Sequence, residues 1–174
     1  NTSLLTEAGA ITGPGSAVVV DEQMRTGLPH VWAAGDGVVT HHRLLGVTYL
    51  PLGTTAHKQG RVAGENAIGG DARFAGSLGT QVVKVFDLVA ARTGLRDHEA
   101  VSAGYTPLGA QLVGARGAEI AKRVDTYAVA LHHGMTVDGM SDLDLSYTPP
   151  LGSPWDAVQV ATQAWSRDVR VLTP

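Results

Sequence analysis

Hydrophobic and polar positions along the chain switch between short apolar runs and longer stretches of helical spacing. Ala17 to Val20 is a small apolar run bounded by Pro14-Gly15 and by Asp21-Glu22-Gln23, the pattern of a short buried strand. His30 to Gly35 predicts a second strand, entered from the turn-forming Gly27-Leu28-Pro29 and ending at Gly35-Asp36-Gly37. Between Gly53 and Gly69 the spacing is helical, with Thr54 or Thr55 as the N-cap and Gly69-Gly70 as the stop. The stripe Ala56, Gly60, Ala63, Ala67 is made of small residues, so this helix is expected to approach another backbone closely.

The character changes from Leu78. Valine-rich Thr80 to Leu88 predicts a strand, Asp97 to Ala103 a short helix and Gly109 to Val113 another strand. Over Ala118 to Met135, apolar residues at Ile120, Val124, Ala128, Leu131 and Met135 mark one buried helical face. Ser153-Pro154-Trp155-Asp156 combines a capping serine, a proline at the first helical position and a nearby acid, predicting a last helix to about Trp165. The sequence divides near residues 70 to 78, into an α/β part and a smaller α+β part.

Composition narrows the classes. The 174 residues include 22 glycines and no cysteine, with 13 basic and 16 acidic side chains for a formal charge of −3. A chain of this length buries enough surface for a core without disulfides. Nothing in it has the basic cluster of a nucleic-acid binder. The most apolar stretch, Val82 to Ala91, is broken by Lys84 and Asp87 and is far shorter than the roughly 18 residues of a membrane span. Without cysteine, no thiol chemistry originates in these residues. The first residue, Asn1, follows no charged-then-apolar leader, and the chain reads as processed or as a piece of a longer protein, with the piece favoured.

Three segments carry candidate chemistry. In Thr26 to Asp36, a carboxylate at the end of a strand beside Gly35 suits a ligand lying close to the backbone and offering hydroxyls to Asp36; a turn acid capping the next segment is the alternative. In Tyr49 to Gly70, a helix opened by Gly53, Thr54 and Thr55 presents backbone N–H groups and partial positive charge to a phosphate or to a ring that becomes anionic on reduction; an ordinary capped helix has the same pattern. In Asp142 to Val158, Pro149 and Pro150 stiffen the loop after Tyr147 and could fix a phenol, for instance across a subunit boundary, although a core or rim tyrosine has the same appearance. A metal site is not expected. His41-His42 and His132-His133 are adjacent pairs that do not share a helix face, and His57 and His98 lack partners at ligand spacing. Asp142 and Asp144 read as a polar loop or strand edge rather than an acid/base pair.

Taken in order, these segments resemble the carboxyl-terminal half of flavin-dependent pyridine nucleotide-disulfide oxidoreductases, in the branch of coenzyme A-disulfide reductases, NADH oxidases and NADH peroxidases. Residues 1–36 are similar to the segment returning from the nicotinamide domain to the flavin domain, and LPLGTTAHKQGRVAGENAIGG to the second flavin motif. GSLGTQVVKVFDLVAARTGL is similar to the start of the dimerisation domain, and DLDLSYTPPLGSPWDAV to its interface loop. The resemblance implies an α/β fold: residues 1–75 as the carboxyl-terminal part of an FAD/NAD(P)-binding region with Rossmann-like architecture, and 76–174 as an α+β dimerisation domain. It implies that Asp36 hydrogen-bonds the ribityl chain of FAD, with Gly35 allowing the close approach. It also implies that Leu52, Gly53 and Thr54 bring a helix N-terminus to the pyrimidine edge of the flavin, and that Tyr147 reaches toward the partner subunit's redox site.

The implied whole protein is a cytoplasmic homodimer. It passes electrons from NAD(P)H through FAD to a small-molecule disulfide, persulfide or oxygen species, without nucleic-acid or membrane partners. The family's first dinucleotide fingerprint and reactive cysteine precede the region matched, so this chain alone is expected to be inactive. Between Gly104-Tyr105 and Leu108-Gly109-Ala110 the family has further strands that here are nearly abutted, so a smaller dimerisation sheet is expected. A non-catalytic dimerisation or assembly module derived from such an enzyme is the alternative. The isolated chain is expected to oligomerise or to be poorly soluble, because the face of residues 1–70 that would pack on a flavin domain is apolar.

Overall fold

The computed structural model describes residues 2–102 and 109–172. Its contacts divide the chain into two compact units, Asn1–Gly79 and Thr80–Pro174.

The first unit contains helix α1 (Ser3–Glu7), the hairpin of β1 (Thr40–His42) and β2 (Gly46–Thr48), and helix α2 (Gly53–Ala67). Its core gathers Val18, Met24, Val39, Val62 and Phe74. Residues 17–20 are buried or half-buried as the apolar run suggests, but neither they nor residues 30–35 form a strand. Val18 makes single bridges to Thr12 and Val38, and Trp32 makes one to Arg25. A strand needs a neighbour along its length, and each segment meets one at a single position among the described residues. The β1–β2 hairpin has no Asn-Gly type of turn signal to announce it. Its turn is built by a side chain instead: Nδ1 of the buried His42 accepts from the backbone N–H groups of Leu44 (3.2 Å) and Leu45 (3.3 Å).

Helix α2 spans the expected residues, but neither threonine caps it. Leu52, in extended conformation, occupies the N-cap position and makes no side-chain capping bond. Its buried residues are Thr55, Gln59, Val62 and Asn66, whereas Gly60 and Ala67 of the small-residue stripe are exposed. Three of the four buried positions are polar because they bond neighbouring chain. The Asn66 amide donates to the carbonyls of Gln23 (2.9 Å) and Ala72 (2.8 Å) and accepts from the Ala72 N–H (2.8 Å). The helix thereby fixes the segment that follows it as well as the one that precedes it.

In the second unit, β3 (Gln81–Val85), β4 (Leu88–Gly94) and β5 (Gly109–Ala115) form an antiparallel sheet in the order β3-β4-β5. The expected strand over 80–88 is therefore a hairpin, broken at Phe86-Asp87, where Phe86 takes φ +52°. A run of apolar residues hides such a turn because phenylalanine rarely adopts a left-handed backbone. Helix α3 (Asp97–Ser102) follows, and the expectation for Ala103 lies outside the described residues. The same holds for residues 104–108 in the expectation of abutted strands.

Helix α4 (Ile120–His133) packs on β4 and β5, burying Ile120 and Val124 against Val89, Ala91 and Leu112. This fits the predicted stripe, although the helix ends at Gly134 and Met135 lies beyond it, exposed. A Cβ on Gly114 would stand 2.8 Å from Cδ1 of Ile120, so glycine lets α4 seat against β5. Helix α5 (Val137–Ser141), capped by the Thr136 hydroxyl, was not announced by periodicity. The last helix, α6 (Ala157–Leu172), extends past the expected end at Trp165. In its first turn the N–H of Val158 bonds Oδ1 of Asp156 at 2.9 Å, so Asp156 does the capping expected of Ser153. Met140, Val158 and Ala130 form a small core with Tyr127 and Leu145.

Candidate functional site

The candidate site of the first unit grows out of a turn and a helix end. Gly35, Asp36, Gly37 and Val38 make a tight turn closed by the Val38 N–H to the Gly35 carbonyl at 3.2 Å. Gly35 has φ +87°, a conformation open to glycine and strained for other residues. The far end of the turn is tied to the core, with Val18 N–H donating to the Gly37 carbonyl (2.8 Å) and Val39 N–H to the Val18 carbonyl (3.0 Å). Asp36 is left at the tip, its side chain exposed.

The turn stands beside the first turns of α2. Asp36, Gly53, Ala56, His57, Gly60 and Arg61 line one open cavity of about 610 Å³. The structure thus brings together Asp36 and Gly53, two of the residues singled out in sequence, with Gly35 adjoining. Leu52 is half-buried at the N-cap position, and Thr54 is exposed on the first turn. The opening N–H groups of an α-helix have no intrahelical partner, and here no side chain at the N-cap position takes one. They confer partial positive charge on a cavity to which Asp36 also supplies a carboxylate. Gly53 and Gly60 leave open space, with no atom within 4 Å of a Cβ placed on either. An acceptor carboxylate, uncapped N–H donors and a floor of small residues suit an elongated ligand with hydroxyls at one end and a hydrogen-bonding, electron-rich ring at the other.

Gln59 is the residue that sequence reading missed. It is 1% exposed; its Oε1 accepts from the Gly35 N–H at 3.1 Å and its Nε2 donates to the Val39 carbonyl at 3.3 Å. A polar residue at a core-facing helical position was the available signal, since a buried amide must find partners.

Tyr147 belongs to the second unit, where it is 51% exposed ahead of a turn in which Leu151 N–H donates to the Thr148 carbonyl. Several charged groups of that unit make structural pairs. Arg123 on α4 holds both carboxylate oxygens of Asp156 at 2.8 to 3.1 Å, and this bonding keeps the Asp156 carboxyl below its ordinary range and raises the guanidinium. Burial, with the Asp156 charge as a second cause, pushes the Tyr127 phenol up. Arg96 hydrogen-bonds Glu99 and pulls its carboxyl down to about 2. Among the described residues no three His, Cys, Asp or Glu side chains gather as a metal site, and no helix is long and apolar enough to cross a membrane.

Comparison with known proteins gives a consistent set of relatives. The family model described as "Pyridine nucleotide-disulphide oxidoreductase" matches residues 1–60. The chain is 32% identical to the NAD(P)H sulfur oxidoreductase (CoA-dependent) of Pyrococcus furiosus over 191 residues, covering 92% of this chain and 43% of that protein. The structure of an NAD-dependent persulfide reductase from A. fulgidus superimposes with a TM-score of 0.90 at 34% identity, over 99% of this chain and 38% of that one. An FAD-dependent pyridine nucleotide-disulphide oxidoreductase from Desulfovibrio vulgaris does so with a TM-score of 0.79 at 30% identity, over 95% of this chain and 46% of that one. The chain therefore spans less than half the length of these relatives. The Pyrococcus alignment, at 191 residues, is also longer than the whole 174-residue chain, so that relative carries residues inside the matched region that have no counterpart here.

Proposed function

We propose, from its likeness to pyridine nucleotide-disulphide oxidoreductases, that the chain is part of an NAD(P)H-dependent member of that family, its first unit forming part of an FAD site and its second unit the dimerisation domain. The supporting observation is that Asp36 and the N-terminus of α2 open on one cavity whose donors and acceptor suit that cofactor.

FAD, when bound, relays electrons from NAD(P)H to an acceptor. The acceptor class we propose is a small-molecule disulfide of the coenzyme A type, a persulfide or an oxygen species. The residues of this chain bind and tune. The Asp36 carboxylate would accept from ribityl hydroxyls, with the left-handed Gly35 setting its place at the cavity. The N–H groups of Gly53 and Thr54, presented through the extended Leu52, would favour negative charge on the flavin ring held there. No cysteine is present to exchange with a disulfide, so that step belongs to residues outside this chain.

For the second unit, the sheet face turned away from α4 supports a homodimer. Register places Val83, Ala90 and Val113 side by side, with Val85 and Leu88 next to them, and four of these five are large apolar residues exposed to solvent, Val113 by 70%. A patch of this kind marks an interaction surface. Tyr147 is proposed to act across that dimer, toward the partner subunit's redox site. A module retaining only the interface is the competing reading, and the preserved Asp36 cavity speaks against it.

The reading is tested by the absorbance spectrum of the intact protein after incubation with FAD and removal of free cofactor. Retained flavin in the parent and less in Asp36→Ala is expected. A colourless protein in both cases leaves only the interface reading.

A further inference from the structure

The turn that carries Asp36 is fixed to α2 by one side chain. Gln59 lies two turns into that helix, almost wholly buried, and its amide spans the turn from Gly35 N–H (3.1 Å) to the Val39 carbonyl (3.3 Å). Asp36, Gly37 and Val38 sit between those two anchors. The other tether of the turn, the Val18 backbone, belongs to a different segment and holds Gly37 and Val39 without reaching Gly35. Gly35 is thus joined to the helix through Gln59, and its φ of +87° is the torsion that aims the next residue. Ala56 of α2 would stand 3.8 Å from a Cβ at Gly35, an ordinary van der Waals contact between turn and helix. The far end of the turn is held by the buried Val38 and Val39, and at the Gly35 end the two-point hydrogen bond of Gln59 supplies the tie to α2.

We infer that Gln59 is a positioning residue for cofactor binding, holding the Asp36 carboxylate in register with the N–H groups at the start of α2. The inference rests on the flavin reading above and adds the residue that sets the geometry of the site. Gln59 itself does not line the cavity, so it acts through Asp36. A buried glutamine has the chemistry this position requires, because its amide offers an acceptor and a donor on one stem, which leucine, methionine and an ionised glutamate each fail to reproduce.

The test is a double-mutant cycle on FAD affinity in the intact protein, using Asp36→Ala, Gln59→Met and the pair. Methionine keeps the length and apolar volume of the stem, so the fold is retained, and a melting curve of the FAD-free variant checks it. Each single change is expected to weaken FAD about tenfold, and the pair no more than about twofold beyond Asp36→Ala alone. A purely structural role gives independent losses that multiply to about a hundredfold, and that result overturns the inference. A Gln59→Met protein that binds FAD as tightly as the parent overturns it as well.

Amide hydrogen exchange in the absence of FAD is a second reading. Gly35 N–H should exchange faster in Gln59→Met while Val18 and Val39 are unchanged, and an unaltered Gly35 rate contradicts the proposal. If the parent itself binds no FAD, the flavin reading has failed, and that outcome is visible before any variant is compared.

Discussion

Arg123 on α4 grips Asp156, the residue that caps α6, with Nη2 to Oδ2 at 2.8 Å and Nε within 3.1 Å of both oxygens. One carboxylate thereby joins two helices and closes the start of one of them. Asp156→Ala removes the cap and leaves a partly buried guanidinium without its partner. A loss of about 1 to 2 kcal/mol is expected, read as a lower urea midpoint at unchanged slope. Because the folded state depresses the Asp156 carboxyl, its contribution is complete above the unfolded carboxyl range of about 3.9 and fades as pH falls toward the folded value. The gap between parent and Asp156→Asn should narrow on acidification in that window.

Glu99 gives a sharper pH prediction. Its side chain bonds the Arg96 guanidinium and also accepts the Arg96 backbone N–H at 2.8 Å, just ahead of α3. With its carboxyl lowered to about 2 from a usual 4.5, the stabilisation is present above the unfolded value and lost as pH falls through about 2. A side-chain carbon NMR titration should show Glu99 still ionised at pH 3.5; a midpoint near 4.5 would contradict the pairing.

The exposed sheet face predicts an association that charge can break. Val83→Glu with Val113→Glu places charges on the two outer strands of one face, on either side of Ala90 in β4, without touching the Ile120 and Val124 core on the other. Sedimentation of the parent should show a dimer and the variant a monomer of unchanged circular dichroism. A dimer that survives both glutamates places the interface elsewhere.

Gly35→Ala tests the strained torsion. At φ +87° a Cβ costs about 1 kcal/mol, and the turn is expected to relax and carry Asp36 with it. Weaker FAD binding with a modest fall in melting temperature is the expected pair of results.

Where sequence and structure agree, a local pattern was enough. The spacing of Ile120, Val124 and Leu131 marks α4, and the stretch up to the glycine stop marks α2, because these signals are written in the residues themselves. The disagreements share a cause. Residues 17–20 and 30–35 have the composition of strands, but a strand exists only with a partner, and the partner is not a local property. The turns at Phe86-Asp87 and after His42 are made by an unfavourable torsion and by an imidazole, neither of which has a turn-forming signature. At the candidate site, Asp36 was legible because a glycine-flanked acid ends an apolar run. Gln59 was not, because the helical stripe drawn through Ala56, Gly60 and Ala63 looked past the polar residue that is buried.

The most direct measurement of the central claim is hydrogen–deuterium exchange of the intact protein with and without FAD. Protection by FAD at residues 35–37 and 52–56, the turn and the opening of α2, is the result predicted. Protection confined to other segments, or none at all, would contradict a flavin site built on Asp36 and the N-terminus of α2.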